Sequence, residues 1–287
     1  MNNIYRQLKE KFIMKDAFSD WKDYRECLTD IVASYPGKRL AIVGAGRCND
    51  IDVNRLGCSF SGITLIDIDE EAMREGIASL DDKNIEKTEI MRLSVNGLYE
   101  EDIDAFCDEL LSYVRSEGKK LTDEKYEKKI SDMLNILKER MLSNMDKLED
   151  YLTGEDFDII LCNGVFSQLL SMISFFINSV SRSIIDAGIF DAQKATQEIE
   201  AYLTQINNEL IPAIVNILIN SVNKTVIFGN EYSKGGNIEG AYQCIKFIKD
   251  SYDTYEKIIR WNFNSKEKTE YDMLIQIVNK DIENLEL

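Results

Sequence analysis

The chain contains no histidine among its 287 residues. Histidine is the commonest general base and a common zinc ligand, so its absence excludes Ser-His and Cys-His nucleophile arrangements. We predict no metal site, and the sequence assigns no catalytic residue. A histidine-free chain suits chemistry in which a cofactor supplies the activated group and the protein positions the reactants.

Positive charge is scarce, with 34 Lys and Arg against 51 Asp and Glu and a formal net charge of −17. Such a surface repels phosphate backbones and anionic lipid, which disfavours nucleic acid and membranes as partners. The first residues lack the apolar segment of a signal peptide. The longest nearly apolar run, 169–177, is too short to span a bilayer. These features predict a cytoplasmic protein.

The six cysteines form no C-x-x-C pair, and several lie inside apolar runs, where a thiol behaves as a small hydrophobic group. We therefore predict reduced thiols, as expected in the cytoplasm. The apolar fraction of 44% is sufficient for a sizeable core.

Short apolar runs alternate with helical patterns along most of the chain, which predicts a mostly parallel sheet. The last two runs are joined by a polar turn and predict an antiparallel hairpin. The seven predicted strands are 38–43, 63–68, 89–95, 157–162, 224–228, 255–263 and 271–278.

Helical spacing predicts N-terminal helices over 3–34 with a break at 16–20. Further helices are expected at 49–55, with Asn49 or Asp50 at the start and Gly57 at the end, and at 69–79, with Asp69 as N-cap. The later helices are 165–186, a segment from Asp191 to Val222 that Pro212 should kink or divide, and 238–249 after a loop containing Gly235 and Gly236.

A long charged insertion separates the third and fourth predicted strands. Its second half repeats apolar residues every three or four positions, which is typical of one face of a long amphipathic helix. We expect this helix to pack on the domain rather than to form a partner-binding coiled coil, and as an insertion between core strands it could also form a lid. The apolar positions are Ile130, Leu134, Leu137, Met141, Met145, Leu148 and Leu152.

The segment from Leu40 to Asp69 combines a buried strand, a Gly44-Ala45-Gly46 turn, a helix and a second strand that ends on Asp67. Glycines at such a turn let a ligand lie close to the main chain, and an acid at the next strand end can accept hydrogen bonds from ribose hydroxyls. The unit predicts an adenosine-containing ligand, although a plain structural turn is the alternative.

A nicotinamide dinucleotide site requires G-x-G-x-x-G, with the pyrophosphate at the helix N-terminus. Here the sixth position is Asn49, and Asp50 follows it. A carboxylate beside a pyrophosphate is repelled, so the segment favours a cofactor without phosphate.

At these residues the sequence resembles the class I S-adenosylmethionine-dependent methyltransferases. Ile42 to Cys48 stands where that family carries its glycine turn, and Asp67 where it has an acid after the second strand. The segment Ile159 to Asn163 is similar to the family's fourth strand. Two features depart from the family pattern: Cys48 replaces a third glycine, and Ser94-Val95-Asn96 replaces an acid after the third strand.

The resemblance implies an α/β fold with a Rossmann-like, mostly parallel seven-stranded sheet, a C-terminal antiparallel hairpin, N-terminal helices and helical insertions. It divides the chain into an N-terminal helical cap, 1–37, and a Rossmann-like domain, 38–287, with insertions at about 100–152 and 187–222. It implies S-adenosyl-L-methionine as cofactor. The implied cofactor-binding residues are Gly44, Ala45, Gly46, Arg47, Asp50, Asp67, Ile68, Ser94, Val95, Asn96, Asn163 and Gly164.

The resemblance implies a methyltransferase acting on a small-molecule or peptide methyl acceptor. The alternative is a methyltransferase-fold protein that has lost activity and serves as a binding or assembly module, which the two departures and the long helix around Ile130 to Leu152 suggest. Asp50 and Asn163 could instead cap helices, and Trp261 and Phe263 are expected to pack rather than contact substrate. Oligomeric state stays open, a homodimer included.

Overall fold

The computed structural model describes residues 4–232 and 238–280. The predicted loop at Gly235 and Gly236 lies outside these residues. The chain divides into two compact units. A helical unit contains residues 1–13, 96–144 and 168–210, and a sheet unit contains residues 14–95, 145–167 and 211–287.

All seven strands lie in the sheet unit and form one sheet in the order β3-β2-β1-β4-β5-β7-β6. The first five strands pair in parallel, and β7 pairs antiparallel with both β5 and β6. This order confirms the predicted fold class. The strands are β1 Arg39–Val43, β2 Gly62–Asp67, β3 Thr88–Arg92, β4 Ile159–Asn163, β5 Thr225–Tyr232, β6 Tyr255–Asn264 and β7 Thr269–Asn279.

The helices are numbered in chain order, and α8 and α10 have residues in both units. Among the described residues, no helix is long and apolar enough to cross a membrane. The helices are α1 Ile4–Phe12, α2 Ala17–Asp20, α3 Lys22–Ser34, α4 Val53–Ser59, α5 Glu70–Ile77, α6 Asp82–Ile85, α7 Glu100–Glu117, α8 Asp123–Gly154, α9 Ser171–Asp186, α10 Gln193–Asn220 and α11 Glu239–Ser251.

One core cluster of the sheet unit packs α3 and α4 against the sheet. Tyr24 and Leu28 of α3 and Leu56 of α4 are almost completely buried there. They contact alternate strand residues such as Leu40 and Ile159, because successive side chains of a strand point to opposite faces. β1 is apolar on both faces because the sheet is covered on both sides.

The predicted amphipathic helix is α8, which runs from Asp123 to Gly154. Its apolar positions are all buried, from Ile130 and Leu134 through to Leu148 and Leu152. In the helical unit Tyr126, at the start of α8, lies within hydrogen-bond distance (3.0 Å) of the Ser181 hydroxyl on α9. The expected packing role of the apolar face is therefore confirmed.

The helix expected over 49–55 begins later, at Val53, and extends to Ser59. Asp52, not Asn49 or Asp50, is the N-cap, and its carboxylate accepts the Arg55 N–H at 3.0 Å. Gly57 does not end the helix. A Cβ there would lie 2.1 Å from Asn84 Oδ1, so this glycine permits α4 to approach α6 closely.

Pro212 does not divide the second long insertion helix, because α10 is continuous from Gln193 to Asn220. Leu210, Ile211 and Ile214 flank the proline and are buried, so packing outweighs the lost backbone hydrogen bond. Two other bounds also differ from the predictions. The third strand, predicted over 89–95, ends at Arg92, and the helix predicted over 165–186 begins only at Ser171.

β5 is longer than the predicted strand, 224–228, and continues through Gly229 to Tyr232. Its partner β7 pairs along the whole length, with Tyr232 opposite Asp272. The last residues of β5 are therefore part of the sheet, and Asn230 and Glu231 are buried.

Candidate functional site

The turn after β1 requires glycine at position 44 and leaves free space above the main chain at Gly46. Gly44 has φ +74°, and a Cβ there would lie 2.3 Å from Val165 Cγ2. Its N–H donates to the Ile66 carbonyl at 2.8 Å, which attaches the turn to β2. Gly46 has φ +49°, and no described atom lies within 4 Å of where its Cβ would be. A ligand can therefore approach the main chain at Gly46.

Asp67 ends β2 beside this turn. Its Oδ2 accepts the Gly46 N–H at 3.0 Å, and its Oδ1 accepts the Asp69 N–H at 2.9 Å. Burial raises the pKa of Asp67, while these N–H groups favour the ionised carboxylate and oppose that rise. Each oxygen keeps lone pairs for a ligand hydroxyl. Asp69 caps α5 as predicted, accepting the Ala72 N–H at 3.0 Å.

Cys48 stands at the position of the missing third glycine and has φ +54°. It is buried, and burial raises the pKa of its thiol, so it is an inert neutral group. The chain therefore keeps the left-handed backbone conformation that favours glycine, at a cost of about 1–2 kcal/mol for a residue with a Cβ.

Cys48→Val should destabilise the protein because a β-branched residue is poorly tolerated at positive φ. Cys162→Val is the matched control, since Cys162 is also buried but lies in β4, where β-branched residues are favoured. Urea unfolding should show a free energy of unfolding lower by about 1 kcal/mol or more for Cys48→Val than for Cys162→Val. Equal values for the two variants would contradict the strain at Cys48.

The other predicted residues near the turn have separate roles. Ala45 is buried, and its N–H donates to Ile66 O at 3.2 Å. The Arg47 side chain pairs with Glu75 of α5 at 2.5 Å. The Ile68 carbonyl accepts from Arg92 Nε at 3.4 Å. The Ala45 N–H and the Ile68 carbonyl are therefore both engaged within the protein, and the Arg47 side chain points to α5.

The residues after β3 fall into both units. Leu93 N–H donates to Asp67 O at 3.0 Å, which brings the chain past the end of β2. Ser94 is buried and Val95 half-buried in the sheet unit. Asn96 belongs to the helical unit, where its side chain accepts the Leu98 N–H at 3.1 Å and donates to the Leu169 carbonyl. Its side chain is therefore occupied within that unit.

Asn163, at the end of β4, does not cap a helix, and neither does Asp50. The Tyr24 hydroxyl donates to Asn163 Oδ1 at 2.7 Å, and Asn163 Nδ2 donates to Asp50 Oδ2. A Cβ at Gly229 would lie 1.8 Å from Asn163 Oδ1, so that glycine makes room for the amide. Gly164 follows with φ +65°. Three elements thus meet at the end of β4 through one polar network.

Burial controls the charge of this network. It raises the pKa of Asp50, an effect opposed by the Asn163 hydrogen bond and by the Arg25 guanidinium. Burial also raises the pKa of Tyr24 well above its usual range, and the carboxylates of Asp50 and Glu231 raise it further. Tyr24 is therefore a neutral hydrogen-bond donor. Arg25 donates to the Asn49 carbonyl at 2.7 Å.

Glu231 is a site residue that sequence reasoning missed. It is 6% exposed, and the Ser167 hydroxyl donates to its Oε1 at 2.8 Å. Its Oε2 has no hydrogen-bond partner among residues 4–232 and 238–280. Burial raises the pKa of Glu231. The available sequence signal was an acid just after the apolar part of the fifth strand.

An aromatic cluster adjoins the polar network. The Trp261 ring stacks on Tyr24 with centroids 5.0 Å apart and meets Trp21 and Phe263 edge-on. Trp261 is buried, as the expected packing role requires. Its Nε1 has no acceptor in the described part of the chain. The indole N–H of Trp261 is therefore a buried hydrogen-bond donor beside the polar network.

Glu231→Gln should stabilise the protein, because a neutral amide is less costly to bury than a carboxylate and can still accept from Ser167. A raised folded-state pKa means that the ionised form opposes folding. The gain of about 1 kcal/mol should thus be largest at pH 8 and shrink as the pH falls through the folded-state pKa. Urea unfolding at pH 8 and pH 5 measures this.

Glu270→Gln is the control for that change, since Glu270 is half-exposed and paired with Arg260. The control should change the free energy of unfolding by less than about 0.5 kcal/mol. A Glu231→Gln variant that is less stable than the parent at pH 8 would mean that Glu231 has a stabilising partner.

Solved structures with a similar backbone cover most of the chain. Magnesium protoporphyrin IX methyltransferase from Synechocystis, with bound SAM, is 10% identical over 96% of this chain and 89% of its own, with a TM-score of 0.44. The N-methyltransferase NodS from Bradyrhizobium japonicum is 9% identical over 93% and 98%, with a TM-score of 0.42. An rRNA methylase from Streptococcus thermophilus is 10% identical over 88% and 95%, with a TM-score of 0.40.

The sequence matches no protein-family model, and no curated protein matches it. The similar structures have low identities and TM-scores below 0.5, so we take neither activity nor substrate from them. The class of fold rests on the strand order itself. This is an α/β protein with a Rossmann-like sheet in which β7 is inserted antiparallel between β5 and β6.

Proposed function

We propose that the chain is an S-adenosyl-L-methionine-dependent methyltransferase. The observation that carries this proposal is the Asp67 carboxylate, held at the end of β2 by the N–H groups of Gly46 and Asp69. It lies beside the open main chain at Gly46. Open α/β sheets bind ligands at the carboxyl ends of their strands, which is where this arrangement lies.

The residues present fit the cofactor. Asp67 would accept hydrogen bonds from the vicinal ribose hydroxyls, and a charge-assisted bond of this kind contributes about 1.5–3 kcal/mol. Gly44, Ala45 and Gly46 would lie under the methionine and ribose portion. The remaining residues of the proposed site in the sheet unit are Arg47, Asp50, Ile68, Ser94, Val95, Asn163 and Gly164, with Ser94 and Val95 near the adenine and Asn163 and Gly164 near the sulfonium.

The helix after the turn disfavours a dinucleotide. The α4 N-terminus, where a pyrophosphate would lie, is capped by the Asp52 carboxylate, which accepts the Arg55 N–H at 3.0 Å. Two acidic side chains, Asp50 and Asp52, therefore precede α4. A sulfonium cofactor carries no phosphate and is compatible with both.

The bound cofactor supplies an activated methyl group. The residues of the chain would contribute by orienting the acceptor and excluding water, which needs no histidine. We propose a small-molecule or peptide acceptor and a cytoplasmic protein. We also propose a division into an N-terminal cap, 1–37, and a methyltransferase domain, 38–287, with helical insertions.

The alternative of an inactive binding module was suggested partly by the missing third glycine. Cys48 keeps a left-handed conformation at that position, which removes this reason for it. Methyl transfer to any acceptor would favour the enzyme. Cofactor binding without transfer to any acceptor would favour the module.

Calorimetric titration tests the proposal directly. We expect S-adenosylmethionine and its demethylated product, S-adenosylhomocysteine, to bind the protein, because neither carries a phosphate that Asp50 and Asp52 would repel. NAD serves as the negative control, since its pyrophosphate would meet Asp52. No heat with either sulfur compound at millimolar concentration would overturn the proposal.

Asp67→Ala should weaken S-adenosylhomocysteine binding at least tenfold, about 1.4 kcal/mol, by removing the acceptor for the ribose hydroxyls. Asp158→Ala is the matched control. Asp158 also accepts two backbone N–H groups, from Lys38 at 2.6 Å and Arg39 at 3.2 Å, but lies at the opposite ends of the strands. Calorimetry should show unchanged affinity for that variant.

A 2′-deoxyribose analogue of the ligand separates direct contact from a disturbed turn. This analogue should bind the parent more weakly than S-adenosylhomocysteine does, and Asp67→Ala should bind both ligands alike. If both proteins discriminate equally between the two ligands, Asp67 does not contact the ribose.

A further inference from the structure

Three side chains at the carboxyl ends of the strands share one face of the sheet. Strand register pairs Asn163 with Gly229, and Glu231 with Met273, which in turn pairs with Ile259. Paired residues and residues two positions apart lie on the same face. Asn163, Glu231 and Trp261 therefore face the side on which α3 packs, as the Tyr24 contacts also require.

Two buried polar atoms on this face are unsatisfied within the described residues. They are the Glu231 Oε2 acceptor and the Trp261 Nε1 donor. A buried carboxylate normally has a cationic or donating partner. The other charged groups of this face do not supply one, because Asp50 is itself acidic and the Arg25 guanidinium donates to the carbonyls of Phe18 and Asn49.

The described residues therefore supply no cationic donor for Glu231 Oε2, and a cation from solution could take that place. The Tyr24 and Trp261 rings stack on each other beside the polar network and form an apolar surface that a carbon chain could contact. The net charge of −17 adds a long-range attraction for cations. The Trp261 Nε1 donor would need an acceptor elsewhere on such a ligand, because an ammonium ion has none.

We propose that Asn163, Glu231 and Trp261, together with Tyr24, form an amine site that binds a primary amine as its ammonium ion. Glu231 is the counterion, and the aromatic rings contact the carbon chain. This inference rests on the proposed function in one respect: the amine is the methyl acceptor. The amine site includes Asn163 and adjoins Gly164, the two residues near which the sulfonium would lie.

The chemistry of such an acceptor balances without a further reactant. The ammonium ion transfers one proton to Glu231 Oε2, which leaves a neutral amine and a carboxylic acid. The nitrogen lone pair then forms the bond to the methyl carbon as the carbon–sulfur bond breaks and its electron pair stays on sulfur. The raised pKa of Glu231 suits it to take that proton.

Calorimetry with matched amine and alcohol pairs tests the amine site. The probes are methylamine, butylamine and 2-phenylethylamine, each against methanol, butanol and 2-phenylethanol, titrated with and without S-adenosylhomocysteine. We expect at least one amine to bind at least tenfold more tightly than its alcohol. Glu231→Gln should abolish that preference, and Glu270→Gln, an exposed control, should keep it.

Loss of amine preference in Glu231→Gln with unchanged S-adenosylhomocysteine affinity would support the amine site. If no pair shows a preference, or if Glu231→Gln keeps it, the amine site is wrong even where S-adenosylhomocysteine binds. If amines bind through Glu231 but S-adenosylhomocysteine does not bind, the proposed cofactor is wrong and the amine site stands. The two failures are therefore distinguishable.

Discussion

The conformation of the site depends on the hydrogen bonds that Asp67 accepts from Gly46 and Asp69. These bonds connect the turn after β1 to the start of α5, two segments that no strand pairing joins. A buried N–H without an acceptor costs about 1–3 kcal/mol, so the carboxylate is needed for the turn as well as for a ligand. The same group therefore shapes the turn and offers its remaining lone pairs to whatever binds above Gly46.

Much of this region could be predicted from sequence because its signals are local. The apolar runs of β1 and β2, the glycine turn and Asp67 lie within 30 residues of one another. Asp69 was predicted as an N-cap from the residues that follow it, and the buried face of α8 from a repeat within one helix. Local periodicity and capping determine such features.

The rest depends on contacts between elements far apart in the chain. Tyr24 and Asn163 are separated by 139 positions, and no spacing rule connects them. The end of β5 is set by its partner β7, which pairs as far as Tyr232, so the predicted strand, 224–228, left Glu231 out. Gly57 was taken as a helix end, whereas the closeness of Asn84 explains why it is a glycine inside the helix.

Two acids of the sheet unit show that a carboxylate is stabilised differently at the amino ends and at the carboxyl ends of the strands. At the amino ends of the strands, burial opposes ionisation of Asp158, but the N–H groups of Lys38 and Arg39 and the Lys224 ammonium together lower its pKa. At the carboxyl ends, Glu231 accepts from the Ser167 hydroxyl and from its own N–H, and burial raises its pKa. The fold can satisfy a carboxylate fully where no ligand is expected. At the carboxyl ends of the strands, where α/β sheets bind ligands, Glu231 Oε2 has no partner among the described residues. A partner that arrives from solution best explains this.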